Sequence, residues 1–281
     1  DKNNDCTGCL GGCFRDSKQS SLVAFIQKAE KEGLEIIAET EIHKVEPNDN
    51  TCKIYGLQNG KQVSFEGKKV ILSGGAFGST RMMTMSGFKS KLPALGKKFA
   101  SHPQFMWLGF QNDIVDAHKG MFQSVASKDP NFRAQGFKLE NVFASPISIG
   151  MLMNENGMEH QRLMKQYRHM QCIEVAVRDE NVGEILCDNK GKLTIVKPLT
   201  DQDKTRRDKG HQAIENIMNA AGAKEIYKSQ FYFGLHLMGG CSMGVDAATS
   251  VVNPDFQVHG EKTLYIADPV SSQMHQASIQ V

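Results

Sequence analysis

The sequence has 281 residues, of which 40% are hydrophobic and 23% are charged, and its formal net charge is +2. These proportions are ordinary for a globular protein. A charge this close to zero does not favour nucleic acid as a partner. The absence of a run of 18 apolar residues predicts no membrane span.

Both ends of the chain predict a piece of a longer protein. The first residues, "DKNNDCTGC", contain neither an initiator methionine nor the basic and apolar stretches of a signal peptide. The last residues, "HQASIQV", do not resemble a closing helix or a polar tail. The compartment is therefore left open, with the cytoplasm slightly preferred.

Three of the seven cysteines, Cys6, Cys9 and Cys13, lie together near the start with the spacing C-x2-C-x3-C. Thiolates this close can share one soft metal ion or a small cluster. A structural zinc site needs four ligands, and only three are present here. The alternative is that these are reduced cysteines without a metal, and the odd total argues against a disulfide scaffold.

A helix followed by a strand-rich layer comes next. Residues 20–33 have helical apolar spacing, a serine to cap the start and Gly33 to close the end. Short extended runs from "LEIIA" to "KVILSGG" follow, separated by Gly, Asn, Pro and Asp. This order predicts an α/β domain.

The stretch "VILSGGAFGSTRMMTMSG" at residues 70–87 predicts a strand, a glycine turn and a helix. Such a turn brings backbone N–H groups near the polar or anionic atoms of a ligand. Its glycines do not have the Gly-x-Gly-x-x-Gly spacing, so a plain strand-to-helix turn is as well supported as a cofactor contact.

The middle of the chain predicts strands in "QFMWLGF", "CIEVAVRD" and "KLTIVKP", and helices in "MEHQRLMKQYRHM" and "DQDKTRRDKGHQAIENIMNAAG".

Two features near the end are candidate functional elements. His236 precedes a loop of small residues, "MGGCSMG", which allows the imidazole to approach a crowded ligand. The buried strand "TLYIAD" ends in Asp268, at the kind of strand end where open α/β sheets place ligands.

Four segments in the same order resemble the glucose–methanol–choline (GMC) oxidoreductases. Residues 70–87 resemble the strand that ends in Ala-Gly-Ala and continues through Gly-Ser-Pro into a helix. "ALGKKFASHPQ" is similar to the family's Gly-Arg-Asn-Leu…His-Pro segment. "HLMGGCSMG" and "VVNPDFQVHGEKTLYIADPVSS" resemble His-Pro-x-Gly-x-Cys-x-Met-Gly and Val-Val-Asp-Pro…Leu-x-Val-x-Asp-x-Ser.

The resemblance implies an α/β (α+β) fold, in which part of a FAD-binding Rossmann-like domain accompanies a substrate domain with a mainly antiparallel sheet and helices. It places the FAD-binding part, with the Cys-rich segment, at residues 1–99 and the substrate-binding domain at 100–230. The chain returns to the FAD-binding domain over 231–281, which carries the catalytic histidine loop. The family's Gly-x-Gly-x-x-Gly motif is absent, so we expect this chain to be the C-terminal portion of a longer enzyme.

The resemblance also implies a reaction. The family oxidises the CH–OH group of an alcohol or a sugar by hydride transfer to FAD, and His236 corresponds to its base. A neutral imidazole suits this role because its unperturbed pKa, roughly 6.5, lies near the working pH. His275 is the best match to the family's second active-site residue, with an exposed histidine as the alternative. Cofactor contacts are implied for Ser73, Gly74, Gly75, Ala76, Ser79, His102, Asp268 and Pro269.

The Cys-rich segment is similar to one that holds an iron–sulfur cluster in sugar dehydrogenases of the family. If such a cluster is present, electrons could leave the flavin through it, which favours a dehydrogenase over an oxidase. The electron acceptor, whether oxygen, a quinone or a cytochrome, is not identified by the sequence. The competing hypothesis is a non-catalytic or metal-binding fragment that cannot hold FAD alone.

Overall fold

The computed structural model describes residues 15–180 and 182–268, and these form a mixture of helices and mainly antiparallel strands. The described residues divide into two compact units. The first unit contains the residues up to Ile36, Pro103–Arg178 and Asp203–Phe233. The second contains Ile37–His102, Asp179–Gln202 and the residues from Gly234 onward.

The first unit is built on a sheet of four strands, β5 (Pro103–Phe110), β6 (Phe137–Asn141), β7 (Met170–Val177) and β10 (Glu225–Gly234). Their order is β10-β5-β7-β6, and β5 and β6 each pair antiparallel with β7. Strand β5 at the centre is buried at all eight positions. Its apolar side chains contribute to a core with those of β7 and of the short helices that follow β6.

The unit also contains one helical segment near the start of the chain and several in its middle part. A π-helical turn, Leu22–Ile26, continues into α1 (Gln27–Lys31), and the side chains of Leu22 and Phe25 in the π-helical turn are exposed. The others are α3 (Pro130–Ala134), α4 (Pro146–Met151), α5 (Gly157–Met164), a 3-10 turn at Tyr167–His169 and the long α6 (Asp201–Ala220). None of the described helices combines the length and the apolar character that a membrane span requires.

Helix α6 lies close against the sheet at a glycine. A Cβ atom on Gly210 would lie 2.2 Å from Cγ2 of Val175 on β7, a distance that no relaxed side chain adopts. Ile214 and Met218, one and two turns further along α6, are fully buried. The glycine therefore permits a close helix–sheet approach, although glycine is a poor helix former.

The described residues of the second unit form three small sheets and one complete α-helix. Strands β1 (Thr40–Pro47), β2 (Cys52–Gln58) and β3 (Lys61–Gly67) form an antiparallel sheet. Strands β8 (Glu184–Cys187) and β9 (Leu193–Val196) form a hairpin. The site-bearing elements are β4 (Val70–Leu72), α2 (Gly75–Met85), a 3-10 turn at Phe88–Ser90 and β11 (Leu264–Ile266), and β11 pairs in parallel with β4.

The predicted fold class is confirmed, since helices and mainly antiparallel sheets are both present. The run "LEIIA" is not a strand: the chain is irregular there, and Leu34, Ile36 and Ile37 are exposed. The assignment of residues 1–99, 100–230 and 231–281 to a cofactor domain and a substrate domain stays a prediction.

The close approach at Gly210 predicts the effect of a single methyl group. We expect Gly210→Ala to lower the free energy of unfolding by about 1 to 3 kcal/mol, because the new methyl group overpacks the contact with Val175. Helix propensity alone predicts that the substitution raises the free energy of unfolding by about 1 kcal/mol. Thermal unfolding of Gly210→Ala and of the unsubstituted chain separates these outcomes. Asn219→Ala, at an exposed position of the same helix, is the control, and a smaller loss at Gly210 in a Val175→Ala background would identify the contact.

Candidate functional site

Two irregular segments of the second unit pair side by side and bring two histidines together. The segment 96–102 pairs with the histidine loop, residues 234–244, through an antiparallel bridge between Ala100 and Met238. The Ala100 N–H donates to Met238 O at 2.9 Å, and the Met238 N–H donates to Ala100 O at 3.0 Å. Counting two residues outward in this antiparallel register places His102 opposite His236.

Glycine at the turn of the histidine loop permits this pairing. Gly239 and Gly240 have φ angles of +83° and +88°, which side chains other than glycine rarely adopt. A Cβ atom on Gly239 would lie 1.9 Å from the carbonyl oxygen of Lys98, so any other residue would push the two segments apart.

The two imidazoles form one hydrogen-bonded and stacked unit. Nδ1 of His102 lies 2.6 Å from Nδ1 of His236, the ring centroids are 4.8 Å apart, and the ring planes meet at 19°. His102 is buried and His236 is half-buried. A hydrogen bond between two such nitrogens needs one donor and one acceptor, so the tautomers of the two rings depend on each other.

The turn between β4 and α2 gathers five of the residues that the sequence singled out. The carboxylate of Asp268, just beyond β11, accepts hydrogen bonds at Oδ2 from the Gly75 N–H (3.0 Å) and the Ser79 hydroxyl (2.8 Å). The Gly74 N–H donates to Ser79 Oγ at 3.1 Å, and the Ser73 hydroxyl donates to the Ala267 carbonyl at 3.2 Å. The parallel pairing of β4 with β11 brings these residues together, since it places both carboxyl ends at one sheet edge.

The described residues leave one side of this turn open, which suits a hydroxylated ligand. Among them, no heavy atom of another segment lies within 4 Å of where a Cβ atom would stand on Gly75 or Gly78. Ser73 and Gly74 are exposed, whereas the methyl group of Ala76 is buried in the core. Exposed backbone, a hydroxyl group and a carboxylate acceptor are the donors and acceptors that a polyhydroxylated cofactor chain requires.

Sequence models of the two halves of the GMC oxidoreductases match this chain. The model of the N-terminal domain matches residues 1–104, and the model of the C-terminal domain matches residues 146–274. The chain belongs to the GMC oxidoreductase family. The expectation that it represents only the C-terminal portion is corrected by this result, because its first 104 residues match the family's N-terminal domain.

Two curated relatives of this GMC chain are named as uncharacterized GMC-type oxidoreductases. A GMC-type oxidoreductase of Mycobacterium tuberculosis is 23% identical, over 79% of this chain and 35% of the relative. Another, from Sinorhizobium fredii, is 22% identical, over 94% of this chain and 58% of the relative. The chain therefore spans between about a third and three fifths of the length of these relatives.

Solved structures share the fold. A formate oxidase of Aspergillus oryzae superposes with a TM-score of 0.65 at 15% identity, over 84% of this chain and 56% of that one. A FAD-dependent oxidoreductase from Chaetomium thermophilum gives 0.58 at 11% identity, over 92% and 60%. A fungal aryl-alcohol oxidase gives 0.51 at 12% identity, over 85% and 57%.

The cysteine of the histidine loop is a packing residue of this GMC chain. Cys241 is fully buried beside Thr80, whose hydroxyl oxygen lies 3.7 Å from its sulfur. Burial raises the pKa of this thiol to about 12, so it stays protonated and unreactive.

Several residues named from the sequence lie outside the described parts of the chain. These are Cys6, Cys9, Cys13, Pro269 and His275. Within residues 15–180 and 182–268, no group of three or more His, Cys, Asp or Glu side chains is arranged to hold a metal ion. Family membership supports FAD and gives no support to an iron–sulfur cluster.

The first unit contains a polar cluster that the sequence analysis did not identify. Glu174 on β7 is 1% exposed, accepts a hydrogen bond from the Gln104 amide at 3.1 Å and lies beside Glu140. Lys138 in turn pairs with Glu140. Burial, followed by the neighbouring Glu140 carboxyl, raises the pKa of Glu174 to about 8. The only sequence signal for this cluster was the alternation of polar and apolar residues along three strands. That alternation does not show which strands are neighbours in the sheet.

The raised pKa of Glu174 predicts a pH-dependent stability. Between the ordinary carboxyl pKa of 4.5 and about 8, the folded chain keeps a proton that the unfolded chain has released. Its free energy of unfolding therefore falls as pH rises through this window, by about 1.4 kcal/mol per pH unit at most. We expect Glu174→Gln to remove this slope in urea titrations. Glu35→Gln, at an exposed position, should leave it in place, and an unchanged slope in Glu174→Gln would contradict the assignment.

Proposed function

We propose that this chain carries the catalytic site of a flavin-dependent oxidoreductase that oxidises the CH–OH group of an alcohol or a sugar. The observation that carries the proposal is the hydrogen-bonded pair of His102 and His236, which lies in the family's His-x-x-Gly-x-Cys-x-Met-Gly loop. His236 is the base, and bound FAD supplies the hydride acceptor.

The reaction removes a hydride and a proton from the CH–OH group of the substrate. The C–H bond would break with its electron pair, for which bound FAD would supply the hydride acceptor. The O–H proton passes to an imidazole nitrogen, and the C=O bond of the product forms. His236 can accept this proton at Nε2 when its Nδ1 carries the hydrogen that His102 Nδ1 accepts. His102 thus holds the base in the competent tautomer and stays bonded to the imidazolium that forms.

The turn around Asp268 fits one part of the cofactor better than another. Its carboxylate already accepts the first N–H group of α2, that of Gly75, and offsets the positive end of the helix. A pyrophosphate at the same place would meet this negative charge, whereas hydroxyl groups donate to it. We therefore assign the turn of Ser73, Gly75 and Asp268 to the ribityl chain of FAD.

The alternative is a non-catalytic module that cannot retain FAD without further protein. The observation that favours it is the absence of Gly-x-Gly-x-x-Gly from the 281 residues. Visible absorption separates the two readings: flavin bands in the purified chain, or in the chain after FAD is added, support the enzyme. Failure to bind added FAD would favour the module.

The role of His236 predicts a chain that keeps its cofactor and loses its chemistry. We expect His236→Ala to retain FAD while the rate constant for flavin bleaching by an alcohol falls by a factor on the order of 100 to 10,000. His43→Ala, at a half-buried position of β1, is the matched control and should react normally. Normal bleaching in His236→Ala would overturn the assignment of the base.

The ribityl assignment predicts how the cofactor affinity responds to a loss of charge. We expect Asp268→Asn to weaken the binding of FAD and of riboflavin by the same factor, about 10-fold, because both ligands lose a charge-assisted hydrogen bond. Equilibrium titration of flavin fluorescence measures both constants. If Asp268 faces the pyrophosphate instead, removing its charge will tighten FAD binding and leave riboflavin unchanged.

A further inference from the structure

We infer that Asp179, ion-paired to Lys197, is a positioning residue that fixes the backbone of His102 and thereby holds the histidine pair in its hydrogen-bonded register. The inference deepens the proposed function and rests on it for the catalytic consequence. The structural claim, that Asp179 fixes the backbone of His102, concerns only the second unit.

His102 adopts a backbone conformation that its own sequence disfavours. Its φ angle is +54°, in the left-handed region that non-glycine residues seldom occupy. It also precedes Pro103, and the residue before a proline is restricted to extended conformations. A conformation that is unfavourable on both grounds persists only where surrounding groups determine it.

Asp179 supplies those groups. Its Oδ2 accepts from the Ser101 N–H and its Oδ1 from the His102 N–H, each at 3.3 Å. The two carboxylate oxygens therefore bind two consecutive backbone N–H groups at the residue with positive φ. Such a two-point contact fixes the direction in which the His102 side chain leaves the backbone.

The carboxylate is itself held in place by a buried cation. Lys197 Nζ lies 2.9 Å from Asp179 Oδ2, and the two side chains are 10% and 1% exposed. Lys197 directly follows strand β9. A carboxylate held by a buried charge pair has little freedom to turn away, unlike one at the surface.

The segment 96–102 is held from both sides. Phe99 forms an antiparallel bridge with Gly183, four residues beyond Asp179, with N–H···O distances of 2.8 and 3.0 Å. Ala100 forms the bridge with Met238 of the histidine loop. Asp179 thus belongs to the stretch on one side of the segment and His236 to the stretch on the other. The backbone of His102 connects the two.

The decisive measurement is the state of the imidazole nitrogens rather than the activity. In the 281-residue chain labelled with 15N-histidine, the pair should give one protonated and one unprotonated Nδ1, joined by a hydrogen bond. We expect Asp179→Leu/Lys197→Met, which removes both charges of the ion pair together, to lose this signature and to give the averaged tautomers of two separate rings. Asp179→Asn/Lys197→Met, which keeps one acceptor oxygen, should give an intermediate shift.

A second ion pair provides the matched control. Lys138 and Glu140 of β6, in the first unit, are 19% and 17% exposed and pair with each other. Lys138→Met/Glu140→Leu should alter thermal unfolding and leave the histidine signals unchanged. An unchanged signature in the Leu/Met variant at Asp179 would overturn the inference. Should that variant not fold, the Asn/Met variant replaces it, and an unchanged signature there overturns the inference equally.

Kinetics then separate this inference from the proposed function. We expect the rate constant for flavin reduction in the FAD-loaded Leu/Met variant at Asp179 to fall on the order of 100-fold, as for a misplaced catalytic group. FAD content should stay unchanged. If the unsubstituted chain binds FAD and no alcohol or sugar bleaches it, the proposed function fails. The NMR comparison still decides whether Asp179 positions the pair.

Discussion

The antiparallel contact between Ala100 and Met238 is the interaction on which the site in the second unit depends. It aligns two irregular segments that are more than 130 residues apart in the sequence, and its register places His102 opposite His236. The contact exists because Gly239 has no side chain where the carbonyl group of Lys98 passes. The glycines after His236 therefore permit the backbone contact, and the two imidazoles meet as a consequence of that contact.

Two carboxylates in the second unit have the same structural role at two different places. Asp268 accepts the N–H of Gly75, and Asp179 accepts the N–H of His102, and both of these residues have positive φ angles. A residue with positive φ leaves the regular ladder, so its N–H group needs a partner from outside it. A carboxylate provides that partner as a strong, charge-assisted acceptor. Both elements that carry predicted site residues are stabilised in this way.

The sequence predicted the parts of the structure that short-range patterns encode. The strand–turn–helix at residues 70–87 and the strand before Asp268 are local patterns, and the structure contains both. Helix α6 was predicted from its spacing of apolar residues, and of these residues Ile214 and Met218 are buried whereas Ile217 is 42% exposed. Amphipathic spacing gives the period of a helix and does not fix which edge of the stripe the rest of the protein covers.

What the sequence did not predict depends on contacts between distant residues. His102 was assigned to the cofactor and His236 to catalysis because each lies in its own motif, and nothing in either motif indicates the register that pairs them. Asp179 belongs to no motif, and its role appears only when its oxygens are seen beside Ser101 and His102. The buried carboxyl of Glu174 is hidden for the same reason, since its neighbours come from two other strands.

A second histidine, rather than a carboxylate, lies against His236, and this choice has a chemical consequence if His236 is the base, as proposed. A carboxylate bonded to the Nδ1 of an imidazole fixes its tautomer and also favours its protonated form. A base that must release its proton again in every turnover gains from the first effect and loses from the second. As a hydrogen-bond partner of His236, an uncharged imidazole would fix the tautomer without a full negative charge, and the charge of Asp179 is directed to the backbone and paired with Lys197. The 2.6 Å hydrogen bond itself needs one protonated and one unprotonated Nδ1, because two Nδ1–H groups directed at each other cannot form it.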